Sequence, residues 1–255
     1  MILAMEDTLP ESRIIWLDSV GSTNAHAAEL ANKGNLPEGF VVIAREQTEG
    51  RGHDTNTWES EPGKNLTLSM VLYPRFLPAE RQFILTKVVA LGVRETVSQL
   101  LPNNIVSVKW PNDVYIDDRK VAGILIQNSI MGSGIDHTIV GIGLNVNQLK
   151  FNSNAPNPVS LSMISGDHFE LNDVLSLLCR NIEKYYELLR SRHFGLLDKA
   201  YLEHFYRVNT FCKFRMGDSI IEAKITGVSI YGQLMMETRD GDFYKFAMKE
   251  VEFVL

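Results

Sequence analysis

Cysteine is scarce: the 255 residues contain two, Cys179 and Cys212. They lack metal or redox spacing, so neither a disulfide framework nor a cysteine-built metal centre organises the chain. Each reads as a small buried apolar residue. Long apolar runs are missing too, and none approaches the ~18 residues of a membrane span. A basic surplus is absent: the net charge is −6, the wrong sign for a chain whose main partner is DNA or RNA. The N-terminus, MILAMEDTLPESR, carries acids early and no basic flank, unlike a secretory signal. The cytoplasm is the expected location. What remains is ordinary for a globular protein, 45% hydrophobic and 22% charged. The length suits one large domain, or one large and one small.

The first half reads as alternating strands and helices. RIIWL (Arg13–Leu17) is an expected strand and DSVGSTN (Asp18–Asn24) a turn. A helix follows over Ala25–Lys33, with Ser22 or Thr23 as N-cap and Gly34 as its stop. Hydroxyls at a helix start cap it, and with the free amides there they can also hold a polar ligand. Val41–Arg45 is a second strand. Glu46–Glu61 (EQTEGRGHDTNTWESE) has too little apolar content to bury itself and is expected to be a mobile surface loop. Within it, Gly50-Arg51-Gly52 sets a guanidinium between two flexible residues, a form suited to closing over an anion. Trp58 either folds back on the protein or offers its ring to a flat partner such as a purine. Asn65–Tyr73 reads as a core strand and Glu80–Leu100 as a scaffold helix. Thr138–Asn147 (TIVGIGLNVN) is a strand whose Gly141 and Gly143 signal a bulge or a close approach.

In the second half, Leu149–Asp167 reads as a connecting loop, Leu171–Leu189 as a strongly amphipathic helix, and Leu197–Phe205 as a shorter one. Five short strands follow: Phe211–Arg215, Ser219–Val228, Gln233–Glu237, Phe243–Ala247 and Val251–Leu255. They predict a small barrel.

The stretch with the most chemistry is Lys109–Ile126, KWPNDVYIDDRKVAGILI. Asp117-Asp118 reads as a two-residue turn between paired strands. Ile116 then faces Arg119, Tyr115 faces Lys120, and Asp113 faces Ala122. Asp113, Tyr115, Lys120 and Ala122 would share one face. Lys120 would reach Asp113 on the diagonal. Ala122 and Gly123 would leave room beside the ammonium, and Pro111 makes the lead-in irregular. On spacing alone the pattern also fits a surface hairpin with an ion pair.

Four segments together resemble the biotin–protein ligases. They are Ser22-Thr23-Asn24, Gln47 with Gly50-Arg51-Gly52 and Trp58, Lys109–Leu125, and Gly141–Asn145. The likeness runs over essentially the whole chain. It implies an α+β fold: a mixed sheet with helices, related to class II aminoacyl-tRNA synthetase domains, plus a C-terminal all-β barrel of the Src-homology-3 kind. The expected division is 1–206, a catalytic domain binding biotin and ATP, and 207–255, the barrel. The reaction implied is activation of biotin by ATP, with magnesium, to biotinyl-5′-adenylate. Biotin then passes to a lysine of a biotin carboxyl carrier domain. The resemblance assigns Ser22, Thr23, Asn24 and Gln47 to the biotin ureido ring, aided by Gly50, Arg51 and Gly52. It assigns Lys120 to the biotin carboxylate and then the adenylate phosphate. Trp58, Asn112 and Asn145 would lie near the adenosine part, with His53 and Gly123 also lining the ligand. Arg51, Lys120 and Asp113 would carry the chemistry, with no direct metal motif in the side chains. Asp113 suits the second step as a late proton acceptor, since an ordinary aspartate takes a proton from an ordinary lysine only at a cost of roughly 9 kcal/mol.

Other features of the resemblance concern partners. Some relatives carry an N-terminal DNA-binding domain. About a dozen residues precede the first strand here, so the sequence reads as a ligase without that arm, a monomer or weak homodimer with no nucleic-acid or membrane partner. A lipoate–protein ligase or octanoyltransferase of the same fold, or a non-catalytic adenylate-binding scaffold, are the competing readings. Relatives commonly have arginine where His53 stands and further bases where this chain has Asp54 to Thr57. Fewer cations predict weaker retention of the adenylate. Release of the intermediate should be faster here than from a basic-loop relative, and equal off-rates would refute the prediction.

Overall fold

The structure is a computed structural model describing residues 13–50, 52, 57–152 and 157–254. Arg51, His53 and Asp54 to Asn56 lie outside the described residues, as does Leu255. The loop expected to be mobile, Glu46–Glu61, falls in part on these residues.

A seven-stranded mixed sheet forms the larger part. Its strands are β1 (Ile14–Val20), β2 (Phe40–Gln47), β3 (Leu66–Leu72), β4 (Val106–Lys109), β5 (Asp113–Ile116), β6 (Arg119–Met131) and β7 (Gly134–Leu144). Their order is β1-β2-β3-β7-β6-β5-β4. Among the described strands of this sheet only β1 and β2 pair in parallel, joined across one face by α1 (Thr23–Lys33). On the other face lie α2 (Phe83–Leu100), α4 (Leu171–Arg190) and α5 (Phe194–Glu203). Side chains alternate along the strands, so each face has its own core. Val42, Val71 and Ile139 pack under Ala27 and Ala31 of α1. Val41, Met70 and Val140 join the larger core with the other helices. Covered on both faces, β3 is buried throughout. No described helix is long and apolar enough to cross a membrane.

Several expectations shift. β1 runs on to Val20 instead of turning at Asp18, because its pairing with β2 continues through Ser19↔Glu46 and Val20↔Gln47. The helix starts at Thr23, two residues early, capped by Ser22. The 149–167 connection contains α3 (Leu161–Ser165), capped by Ser160. β6 and β7 form a much longer hairpin than the apolar run suggests, since the outer half of β6 is only partly buried and lacks clean alternation.

The C-terminal strands are β8 (Phe211–Met216), β9 (Ser219–Val228), β10 (Leu234–Thr238), β11 (Phe243–Phe246) and β12 (Glu252–Phe253). They make an antiparallel sheet in the order β11-β10-β9-β8-β12. Among the described residues β11 and β12 remain its edges; β12 pairs only two residues with β8. We propose the unit boundary at 206/207. The segment there is tied to both sides: Tyr206 N–H donates to Val108 O and Asn209 N–H to Ile225 O. Cys179 is buried in the helical core, and burial pushes its thiol up to about 12, so it is inert. Cys212, on β8, is partly buried against the same core.

Helices α2 and α4 meet at Gly92, where an added Cβ would stand 2.8 Å from Ile182 Cα. Backbone cannot yield there as a side chain can. Gly92→Ala should destabilise the fold by about 1–3 kcal/mol; urea unfolding that matches the parent would show that the helices separate freely.

Candidate functional site

Helix α1 covers only part of its sheet face. Beyond its N-terminus the face continues into Ser69 of β3, Gly141 and Gly143 of β7, and Gly123 of β6. A cavity of about 320 Å³ opens there, within the usual range for small-molecule sites.

One end is neutral and polar. Gln47 Oε1 accepts from Thr23 N–H at 2.8 Å and from Thr23 Oγ1 at 3.0 Å. Ser69 Oγ lies 2.8 Å from Thr23 Oγ1 and also donates to Asn24 Oδ1. Asn24 Nδ2 points to Leu125 O and Gln127 Oε1, at 3.4 and 3.5 Å. Gly141 leaves the room for this side chain, since a Cβ on it would stand 2.3 Å from Asn24 Oδ1 and push the amide away. Ser69 and Gln127 were not singled out by sequence. The available signal for Ser69 was a second small polar residue, two after Thr67, within a buried and mainly apolar strand.

The other end is charged. Lys120 Nζ pairs with Asp113 Oδ1 at 2.7 Å, both side chains mostly shielded from solvent. The turn at 117–118 and the pairs Ile116↔Arg119 and Tyr115↔Lys120 are as the sequence predicts. The next pair is not. A bulge at Val121 shifts the register, so Asp113 faces Gly123 and Val114 faces Ala122. Ala122 is thereby fully buried in the core, and only Gly123 lies beside the ammonium. A Cβ on Gly123 would meet Lys120 Cε at 3.4 Å.

The hairpin is held from three sides. Asp117 takes a left-handed conformation (φ 53°), which aspartate tolerates. Asp118 accepts from the Tyr206 hydroxyl and from Arg207 Nη2, the latter at 3.1 Å. The Tyr206 hydrogen bond, with Arg207, holds the Asp118 carboxyl below its ordinary range. The supposed connecting loop clamps Lys120 itself: Lys120 N–H donates to Asn157 O and Val159 N–H to Lys120 O, both at 2.9 Å. Asn112 donates from its side chain to Ile124 O and accepts from Ile124 N–H, while also lining the cavity.

Asn145 is not brought into the cavity. It is buried beneath it, donating from Nδ2 to Val159 O at 3.0 Å and from its backbone to Val121 O at 2.9 Å. It ties the clamp to the bulge. Gly50 closes the neck of the loop, its carbonyl accepting from Trp58 N–H at 3.0 Å. Gly52 and Trp58 line the cavity, as do Ser22, Thr23, Asn24 and Gln47. From the turn between β11 and β12 come Met248 and Lys249, which sequence reasoning missed. Nothing in the local sequence marks them; the left-handed turn at Lys249, φ 72°, that brings them there is visible only in the fold.

Trp58 folds back onto the sheet, and the glycines explain how. Its ring rests where the side chains of Gly123 and Gly143 would be, with Lys120 Nζ 5.8 Å from the ring centre. No register shift falls at Gly141 or Gly143, so these glycines serve close approach and not a bulge. A Cβ on Gly143 would stand 2.2 Å from Trp58 Cε2. Gly143→Ala should expel the indole, moving tryptophan emission to the red without unfolding the chain. An unchanged emission spectrum would show that the ring does not depend on that space.

Comparison with known proteins agrees with this geometry. Residues 16–145 match the biotin/lipoate A/B protein ligase family. The bifunctional ligase/repressor BirA of Bacillus spizizenii is 30% identical over 89% of this chain and 70% of its own. The biotin–[acetyl-CoA-carboxylase] ligase of Paracoccus denitrificans is 30% identical over 84% of this chain and 90% of its own. The biotin protein ligase of Aquifex aeolicus, solved with biotin and ATP, superposes with a TM-score of 0.78 at 27% identity, covering 95% of this chain and 99% of that one. The chain therefore belongs to the biotin/lipoate A/B protein ligase family and, within it, to the biotin–protein ligases.

Proposed function

We propose that the chain activates biotin with ATP and passes it to a lysine of a biotin carboxyl carrier domain. The observation that carries this reading is one cavity with two unlike ends: a neutral hydrogen-bonding patch at Thr23, Asn24 and Gln47, and the Lys120–Asp113 pair opposite. A cyclic urea presents one acceptor and two donors. The hydroxyls and amides of Ser22, Thr23, Asn24 and Gln47 complement it, and Ser69 and Gln127 set their orientation. The apolar chain between them would run along the Trp58 ring, which packs on Gly123 and Gly143. The biotin carboxylate then reaches Lys120, and the nucleotide lies towards Asn112, Trp58 and the turn carrying Lys249.

In the first step a carboxylate oxygen attacks the α-phosphorus of ATP. The bond to the β-phosphate oxygen breaks and pyrophosphate leaves. Lys120 offsets the repulsion between two anions and the charge gathering on the α-phosphate, with Arg51 as a second cation. Magnesium would enter with the substrate, as MgATP, bridging its phosphates. In the second step the acceptor amine attacks the acyl carbon, the carbon–oxygen bond breaks, and AMP leaves. Asp113 positions the amine and takes its proton as the carbon–nitrogen bond forms, when that nitrogen has become acidic. The glycine-bounded loop at 50–58 would shield the mixed anhydride from water. We place the reaction in the cytoplasm, with a monomer or weak homodimer as the working form and no nucleic-acid partner.

The test is exchange of labelled pyrophosphate into ATP. Exchange should require biotin and ignore lipoate, and Lys120→Ala should lower it by on the order of a hundredfold or more. Exchange driven by lipoate alone would move the chain to the other branch of the family. Asp113→Asn should slow transfer from preformed adenylate, and a parental transfer rate would exclude the proton role.

A further inference from the structure

Lys109 has a place in the site that the reaction above leaves unused. It is the last residue of β4 and pairs in register with Asp113, the first residue of β5. Residues so paired have Cβ atoms about 4.5–5.5 Å apart. Its ammonium lies between two rings, 4.9 Å from the centre of Tyr115 and 4.8 Å from that of Phe253 on β12. The Tyr115 hydroxyl is 3.4 Å from Nζ. Most of the lysine is withdrawn from water, and this burial lowers its pKa from the ordinary value; Asp113 opposes that fall, while Lys120 and Arg207 add to it. A shielded ammonium in this position is costly unless an anion balances it. The anion across the strands is Asp113, whose direct ion pair is with Lys120.

We infer that Lys109 is a positioning residue for the transfer half-reaction, holding the Asp113 carboxylate when Lys120 turns to the ligand. The inference rests on the function proposed above. Once biotin's carboxylate or the adenylate phosphate takes Lys120, Asp113 loses its direct partner and faces a new anion. Without a second cation the carboxylate would be driven from the site or neutralised. Lys109 supplies that cation from the neighbouring strand, outside the residues that line the cavity, so it does not compete for the ligand. Phe253 covers it, so the C-terminal sheet sets how dry, and how strong, this interaction is. The cage also explains why a lysine suits the position. Its compact ammonium fits between two rings while leaving the pocket side of Asp113 open to an incoming amine.

The test uses the full chain and separates the two half-reactions. Biotin-dependent pyrophosphate exchange reports activation; single-turnover transfer from purified biotinyl-adenylate to a biotin carboxyl carrier domain reports the second step. For Lys109→Met, whose chain fills the same aromatic cage, transfer should fall on the order of ten- to a hundredfold while exchange falls by less than about threefold, as expected for losing one close charge in a shielded site. Lys109→Arg should regain most of the transfer rate. Equal losses in both half-reactions would mark a merely structural role and overturn the inference, as would a parental transfer rate in Lys109→Met or an arginine variant as slow as the methionine one. Failure of the underlying reading shows elsewhere, as a parent chain without biotin-dependent exchange.

Discussion

The room beside the Lys120–Asp113 pair depends on one extra residue. Val121 bulges from β6, and from that point the strand presents Gly123, not Ala122, to the cavity. An aliphatic strand would otherwise bring a methyl to the ammonium's side and turn glycine into the core. The bulge also needs support, because an unpaired residue leaves backbone groups without ladder partners. Asn145 supplies it, donating its N–H to Val121 O and its side-chain amide to Val159 O. Residues 157–159 then bond both backbone groups of Lys120. A lysine is a flexible side chain. Here its root is fixed on both sides, so its ammonium is delivered to one place.

The rest of the cavity follows from a helix that stops short. Ser22 caps α1 just where the sheet face passes from Val71 and Ile139 to Ser69 and Gly141. Past that line the sheet has hydroxyls and missing side chains in place of aliphatic ones. Asn24 and the Trp58 ring occupy the space that glycine leaves. The floor is therefore shaped by absence of side chains, while recognition comes from groups lowered onto it from α1 and the loop.

The C-terminal sheet is part of this arrangement. Trp110 Nε1 donates to Gly232 O at 2.8 Å, and Gly232, at φ 86°, packs against the ring of Phe83. Phe253 covers Lys109, and Met248 and Lys249 reach the cavity. A unit that looks separable by its strand pattern thus bears on both the back and the mouth of the central hairpin.

Much of this was legible in the residues. Alternation marked the strands, the apolar stripes marked α2 and α4, and the Asp117-Asp118 turn set the first two register pairs, because those signals are local. The set of small polar residues, glycines and the Lys–Asp hairpin also sufficed to name the family. What the sequence could not settle was anything decided by two distant segments meeting. The bulge at Val121 is stabilised by Asn145, the clamp on Lys120 comes from residues 157–159, and Ser69 matters only because α1 ends above it. Such choices are made by the free energy of packing and of satisfying buried backbone groups, which belongs to the folded chain as a whole and to no single stretch of it.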